Sequence, residues 1–314
     1  MALEELLAEG FEFSGFNLWI GSSNNEECSG DGMLLAAEYF KKEGIFFETV
    51  LDEVMEVFPS EYIHIGGDEA NKTHWKTCPK CQQRMWEEGL ADVDELQSYM
   101  ICRIERFVNS KGRRIIGWDE ILQGGLAPGA TVMSWRGTEG GIKAMEMGHD
   151  VVMSPGRYCY LDHAHDAPFK EPESIGGYLP LDTVYVYEPV EPSMPTDKLH
   201  HLLGVQANLW SEYIVTDSHA EYMYWPRAIA VAETGWSQPQ NKNLEDFRRR
   251  ALAQLEILEA KGYTDFGLLL LAGEETGSFG AKAFNDMMPD DSSNLWVIVG
   301  EPTDNCMATA AKGT

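Results

Sequence analysis

Between about residues 45 and 262, short apolar runs alternate with longer amphipathic ones, and this alternation constrains the fold more than any other feature of the chain. A strand followed by a helix, many times over, buries its apolar faces only when helices cover a parallel sheet. The expected strands are "YIHIG" (62–66), "RIIGW" (114–118), "TVMSW" (131–135), "DVVMSP" (150–155) and "GVQANLW" (204–210). Each is rich in β-branched or aromatic residues, as strands covered on both faces should be. Helices are expected over 94–112, 139–148 and 243–262, each stopping on a glycine, Gly112, Gly148 and Gly262. Within the first, Leu96, Met100, Ile101, Ile104, Phe107 and Val108 recur at helical spacing.

Five units of roughly 40 residues fit an α/β fold of the (β/α)8 TIM-type barrel class. No Gly-x-Gly-x-x-Gly opens a helix after a strand, so a doubly wound nucleotide fold has no support. Functional residues of a barrel sit at the C-terminal ends of its strands. Those ends here carry Asp68 and Glu69, Trp118 with Asp119 and Glu120, Trp135 with Arg136, Tyr160 with Asp162, and Trp210 with Glu212. The barrel domain is thus expected over 45–262, between an atypical N-terminal segment, 1–44, and an atypical tail, 263–314. The flanks hold one strand-like run each, "FNLWI" and "NLWVIV" (294–299).

Composition removes several function classes. With 24 Lys+Arg against 51 Asp+Glu the formal charge is −27, which repels nucleic-acid backbones and anionic membrane surfaces. The N-terminus has no basic region ahead of an apolar core, so no signal peptide is expected as it stands, and no run approaches the roughly 18–20 apolar residues of a spanning helix. Cys28, Cys78, Cys81, Cys102, Cys159 and Cys306 are spread over a chain large enough to need no disulfide framework, so mostly free thiols are expected. "CPKC" at 78–81 lies near His74, but a closed zinc site needs a second ligand pair, and a surface turn is the simpler expectation.

Carboxyl groups ringed by Trp and Tyr suit glycoside cleavage, because sugar C–H faces stack on aromatic rings while carboxyls move protons and stabilise charge. Asp68 and Glu69 are adjacent, however, and neighbours at a strand end point in different directions. That suggests divided labour rather than a nucleophile facing an acid. The competing reading is an acidic helix-initiating turn. Trp75, Trp86, Trp225 and Trp236 end no expected strand and are assigned to core packing, and His163 and His165 to a loop beyond a strand rather than to a metal.

"HIGGDE" (64–69), "GWDE" (117–120), "VMSWRG" (132–137), "YLD" (160–162) and "NLWSE" (208–212), in this order, resemble the catalytic domain of glycoside hydrolase family 20, the β-N-acetylhexosaminidases. The resemblance covers about residues 45–262 and corresponds to strands four to eight of that barrel. It implies an exo-acting retaining hydrolase in which the substrate's own acetamido oxygen is the nucleophile. It further implies that Asp68 orients the acetamido N–H and that Glu69 is the acid and base. Trp118, Trp135 and Trp210 would wall the sugar, Tyr160 would bind the acetamido carbonyl, Asp162 and Glu212 would bind hydroxyls, and His64 would support the site from a buried position. No metal or organic cofactor is implied. The implied partners are N-acetylhexosamine-terminated glycans or chito-oligosaccharides, and members of the family are often exported.

The family's barrel begins with further βα units that supply an arginine and a histidine. Here no Arg precedes Arg84 and no His precedes His64, so the barrel is expected to be incomplete or rearranged. An open barrel exposes strand edges and an apolar layer, which favours a homo-oligomer unless "FNLWI" and "NLWVIV" cover those edges. A sugar-binding or assembly form without catalysis is the alternative.

Overall fold

The computed structural model describes residues 46–166 and 171–263 and, beyond them, two short strands at 297–300 and 307–310. The described chain forms two compact units, one running through Cys159 and including Pro189–Gln206, the other made of Tyr160–Glu188 and the described residues from Ala207 onward.

The first unit contains α1 (Phe46–Val57), β1 (Tyr62–His64), α2 (Pro79–Glu88), α3 (Val93–Ser110), β2 (Arg114–Trp118), β3 (Thr131–Ser134), α4 (Glu139–Glu146), β4 (Val151–Met153), the single turn α5 (Gly156–Cys159) and β5 (Leu202–Val205). Its sheet is entirely parallel, in the order β1-β2-β3-β4-β5. Every strand joins the one before it, so the sheet winds in one direction, as a barrel wall does; a doubly wound sheet would reverse its order at a switch point. The fold is therefore α/β of the barrel class, with five strands of the wall among the described residues.

Burial on both faces explains the strand composition. Ile115, Val132, Val151 and Met153 are all fully buried, and each such side chain contributes roughly 1.5–3 kcal/mol relative to exposure. Helix α3 shows how the helices are set. The Asp92 carboxylate accepts from the amides of Asp94 and Glu95 at 2.9 Å, closing the N-terminus. Its inner face buries Ile101, Ile104 and Val108, and the chain leaves it through Gly112 at φ 74°.

The second unit holds α6 (Leu181–Val186), α7 (Asp217–Tyr224), α8 (Arg227–Trp236), α9 (Leu244–Glu259) and an antiparallel pair, β6 (Val297–Gly300) with β7 (Met307–Ala310). Asn243 caps α9 through the Asp246 amide at 2.9 Å. Phe247, Ala251, Leu255 and Leu258 form its buried stripe, and Tyr185 of α6 stacks on Phe247 at 4.4 Å between centroids.

Four sequence expectations are corrected. The strand placed at 204–210 is β5 at Leu202–Val205, and the run continues to Asn208, which bridges to Tyr160 instead. Its partner β4 is cut short because Pro155 has no amide to donate to a ladder. "CPKC" does not lie on a turn but opens α2, which Pro79 at the first helical position and Gly89 at φ 69° bracket. Trp86 and Trp236 are 83% and 92% exposed, so they are not core residues, whereas Trp75 is buried. Residues 297–299 of "NLWVIV" lie in β6, whose partner is β7; "FNLWI" lies outside the described residues.

Candidate functional site

The strand β1 ends in a turn that the backbone could not make without its glycines. Gly66 and Gly67 take φ values of 68° and 93°, and a Cβ on Gly67 would stand 2.5 Å from Ile121 Cγ2. The Gln97 side-chain amide donates to the Gly67 carbonyl at 2.7 Å and holds the turn from α3. The chain then passes through Asp68 to Glu69, which is exposed and is the one non-glycine with positive φ among the described residues, at 47°. A non-glycine in this region is strained by about 1 kcal/mol or more, and such strain gathers at functional positions. Lys72, bonded to Asp94 and Gln123 at 2.5 and 2.7 Å, fastens the segment that follows.

His64, on the same strand, accepts the Gly66 amide on Nδ1 at 3.1 Å, and its ring lies 4.8 Å from Trp118. Burial lowers its pKa to about 4, so the ring is neutral at physiological pH. Trp118 in turn meets Trp135 edge-on at 6.4 Å. Two acids from the turn after β2 fix that second indole. Glu120 Oε2 accepts from Trp135 Nε1 at 3.0 Å, and Asp119 accepts from Arg136 Nε at 2.6 Å and from the Trp135 amide at 3.3 Å. Burial pushes the Glu120 carboxyl up to about 7, with the indole donor opposing and the adjacent Asp119 reinforcing the shift. His64, Trp118 and Trp135 therefore form one aromatic wall at the C-terminal ends of β1 to β3.

In the second unit the Tyr160 ring lies 6.2 Å from Trp210. Asp162 is 3% exposed, and neither carboxylate oxygen has a hydrogen-bond partner among the described residues. Burial raises its pKa to about 6; its own amide and Arg227 oppose the shift, and the Glu212 charge adds to it. Glu212 itself is exposed. Arg227, fully buried, spans the backbone beneath Asp162, donating to the carbonyls of Leu161, His163, Leu179 and Met223 at 2.6, 2.7, 2.9 and 2.6 Å. His165 is buried as well, its Nε2 2.9 Å from the Tyr222 carbonyl, so the loop expected there is packed.

The family model described as "Glycosyl hydrolase family 20, catalytic domain" matches residues 23–239. The chain belongs to this family. It is 52% identical over 206 residues to a beta-hexosaminidase of Porphyromonas gingivalis, across 65% of this chain and 26% of that protein. Among solved structures, an exo-β-N-acetylglucosaminidase of Vibrio harveyi bound to N-acetylglucosamine superposes with TM-score 0.61 at 31% identity, across 70% of this chain and 35% of that one. A β-N-acetylhexosaminidase of Bacteroides fragilis gives TM-score 0.62 at 29% identity, across 75% and 48%. The chain thus spans less than half the length of each of these family 20 proteins.

The structure brings His64, Trp118 and Trp135 together in one unit, where Asp68 and Glu69 follow the turn after the first strand, and Tyr160, Asp162, Trp210 and Glu212 in the other. Sequence reasoning missed Gln97 and Arg227 as supports of the two carboxylate-bearing segments. Neither ends a strand, and a long polar side chain in a helix reads as solvated surface.

Asp162 has a measurable consequence for pH dependence. Its pKa is raised on folding, so its contribution is fully present below the unfolded value of 3.8 and is lost as pH climbs through about 6. Relative to Asp162→Asn, the wild type is expected to lose roughly 1–3 kcal/mol of stability across that window. Urea unfolding of both proteins at several pH values reads this directly; parallel curves would refute it.

Proposed function

We propose that this chain acts as a β-N-acetylhexosaminidase that removes terminal β-linked N-acetylglucosamine or N-acetylgalactosamine by substrate-assisted, retaining hydrolysis. The reading rests on the strained, exposed Glu69 beside Asp68 at the end of a barrel strand, in a chain of this family. The acetamido carbonyl oxygen attacks the anomeric carbon as the glycosidic C–O bond breaks, and Glu69 gives its proton to the leaving oxygen. Asp68 accepts the acetamido N–H and stabilises the positive charge of the oxazolinium ion. Glu69, now a carboxylate, takes a proton from water as that water attacks the anomeric carbon and the ring opens. Two inversions give net retention.

The remaining groups have roles that fit their surroundings. Trp135, partly exposed, offers its ring to the sugar and the acetamido methyl, Trp118, only 3% exposed, completes that wall edge-on against it, and Trp210 adds a further ring. Tyr160 donates to the acetamido carbonyl, orienting the oxygen that attacks. The buried, unpaired oxygens of Asp162 suit sugar hydroxyl donors, with Glu212 binding a further hydroxyl, and neutral His64 supports the Gly66 turn. None of these steps calls for a metal or an organic cofactor.

The test compares an aryl N-acetyl-β-glucosaminide with the aryl β-glucoside that lacks the acetamido group. The first is expected to release its aryl alcohol at least about 10²-fold faster, since the nucleophile is present only there. Equal rates would remove the substrate-assisted mechanism. Binding of N-acetylglucosamine without any turnover would make the chain a sugar-binding form instead.

A further inference from the structure

Residues 72–84, "KTHWKTCPKCQQR", contain no acidic residue in a chain whose acids outnumber its bases by 51 to 24; Lys72 and Arg84 are paired with Asp94 and with Glu87 and Glu88, while Lys76 and Lys80 flank Cys78 on either side. At the centre of this basic stretch Cys78 is the N-cap of α2, with Pro79 in the first turn and Cys81 one turn further on. Both are free and partly exposed. Cys78 at the N-cap and Cys81 three residues on lie on the same first turn of α2, near enough for each thiol to shift the other's pKa. Residues three apart on a helix place their Cβ atoms roughly 5–6 Å apart and a disulfide brings them to about 3.5–4.5 Å, so closing the bond takes a movement of about 1–2 Å at the N-cap, which lies outside the helical hydrogen-bond ladder.

We propose that Cys78 and Cys81 form a thiol–disulfide exchange site whose co-reactant is a small anionic disulfide. Cys78 is the attacking thiolate and Cys81 the resolving one. At the start of α2 the Cys81 amide lowers the Cys78 pKa; burial opposes this, while the Cys81 thiol, the Lys80 amide and the Lys80 charge add to it. Cys81 is pushed the other way, to about 11, by burial and by the Cys78 thiol. That asymmetry separates attacker from resolver. Cys81 is held against Trp75, Met85 and Val93 in a small apolar cluster, which fixes its position for the second step.

The exchange balances without any further reagent. The Cys78 thiolate attacks one sulfur of the co-reactant; its S–S bond breaks, one thiolate leaves, and a mixed disulfide forms on Cys78. Cys81 then loses its proton to solvent and attacks the Cys78 sulfur, expelling the second thiolate. Two electrons pass from the cysteine pair to the co-reactant, which is reduced to two thiols. A helix start that stabilises the thiolate favours the reduced pair, so the internal disulfide is readily reversed rather than structural. Among the described residues no three His, Cys, Asp or Glu side chains converge on a metal, which separates this site from a zinc knuckle.

Glutathione disulfide is the probe, and peptide mass mapping of the whole chain is the readout, so no glycoside is involved and failure here leaves the hydrolase reading untouched. Wild type is expected to gain a Cys78–Cys81 disulfide that excess reduced glutathione reverses. Cys81→Ser should trap glutathione on Cys78, and Cys78→Ser should leave Cys81 unmodified. Alkylation of Cys78 should outpace that of Cys102, whose pKa burial raises, by about 10-fold or more. Near-ultraviolet circular dichroism identical to wild type establishes that the serine variants are folded. Equal reactivity of Cys78 and Cys102, no mixed disulfide in Cys81→Ser, or zinc in the purified protein that shields both thiols would each overturn the proposal.

Discussion

Glu69→Gln is expected to lower aryl alcohol release from an aryl N-acetyl-β-glucosaminide by about 10²–10⁴-fold, the usual contribution of a positioned general acid and base. The two side chains have the same shape, and position 69 is exposed, so unfolding should shift by no more than about 0.5 kcal/mol. The loss falls chiefly on kcat, because a proton is moved in the transition state and not in the bound ground state. It should also depend on the leaving group. A good aryl leaving group needs little protonation to depart, while water still needs a base, so the deficit on such a substrate lies in the second step. A poor leaving group, such as another sugar, loses in both. Wild-type rates in Glu69→Gln would assign the chemistry elsewhere, and equal losses on good and poor leaving groups would remove the acid role.

The legible parts of the fold are those where local chemistry and tertiary packing agree. "RIIGW" became β2 residue for residue because its β-branched residues are buried on both faces, and α3 lies within two residues of its expected bounds because Asp92 and Gly112 punctuate it. The glycines of "HIGGDE" announced a turn, yet nothing in the sequence said that Glu69 itself would adopt positive φ. Helix α2 was hidden because its composition, "PKCQQRMWEE", is polar nearly all round, with only Met85 buried. The aromatic wall was legible as a set of strand-end tryptophans. The means of fixing Trp135, through Asp119 and Glu120, depends on side chains crossing from one strand end to the next. A linear pattern does not encode that crossing.

The largest stability effect is expected from Arg227→Met. Four backbone carbonyls converge on this guanidinium, which is fully buried. Burial draws its pKa down to about 9, against the pull of Glu171, Tyr222 and Asp162, so it remains charged at neutral pH. Methionine matches much of its volume and none of its donors, leaving the carbonyls of Leu161, His163, Leu179 and Met223 without this partner in a dry interior. Each such carbonyl costs about 1–3 kcal/mol, and partial relaxation brings the net to about 3–5 kcal/mol, or a fall in Tm on the order of 10 °C. Arg227→Lys separates charge from geometry: an ammonium keeps the charge but cannot spread planar donors over four acceptors, so it should recover only part of the loss. Two of the four carbonyls flank Asp162, so the same substitution should loosen the Leu161–His163 backbone, seen as faster amide hydrogen exchange there than in α9. Urea unfolding and exchange together decide the matter. An unchanged midpoint would mean that the four bonds are replaceable, and a lowered midpoint with unchanged exchange at 161–163 would mean that Arg227 supports the unit without holding Asp162 in place.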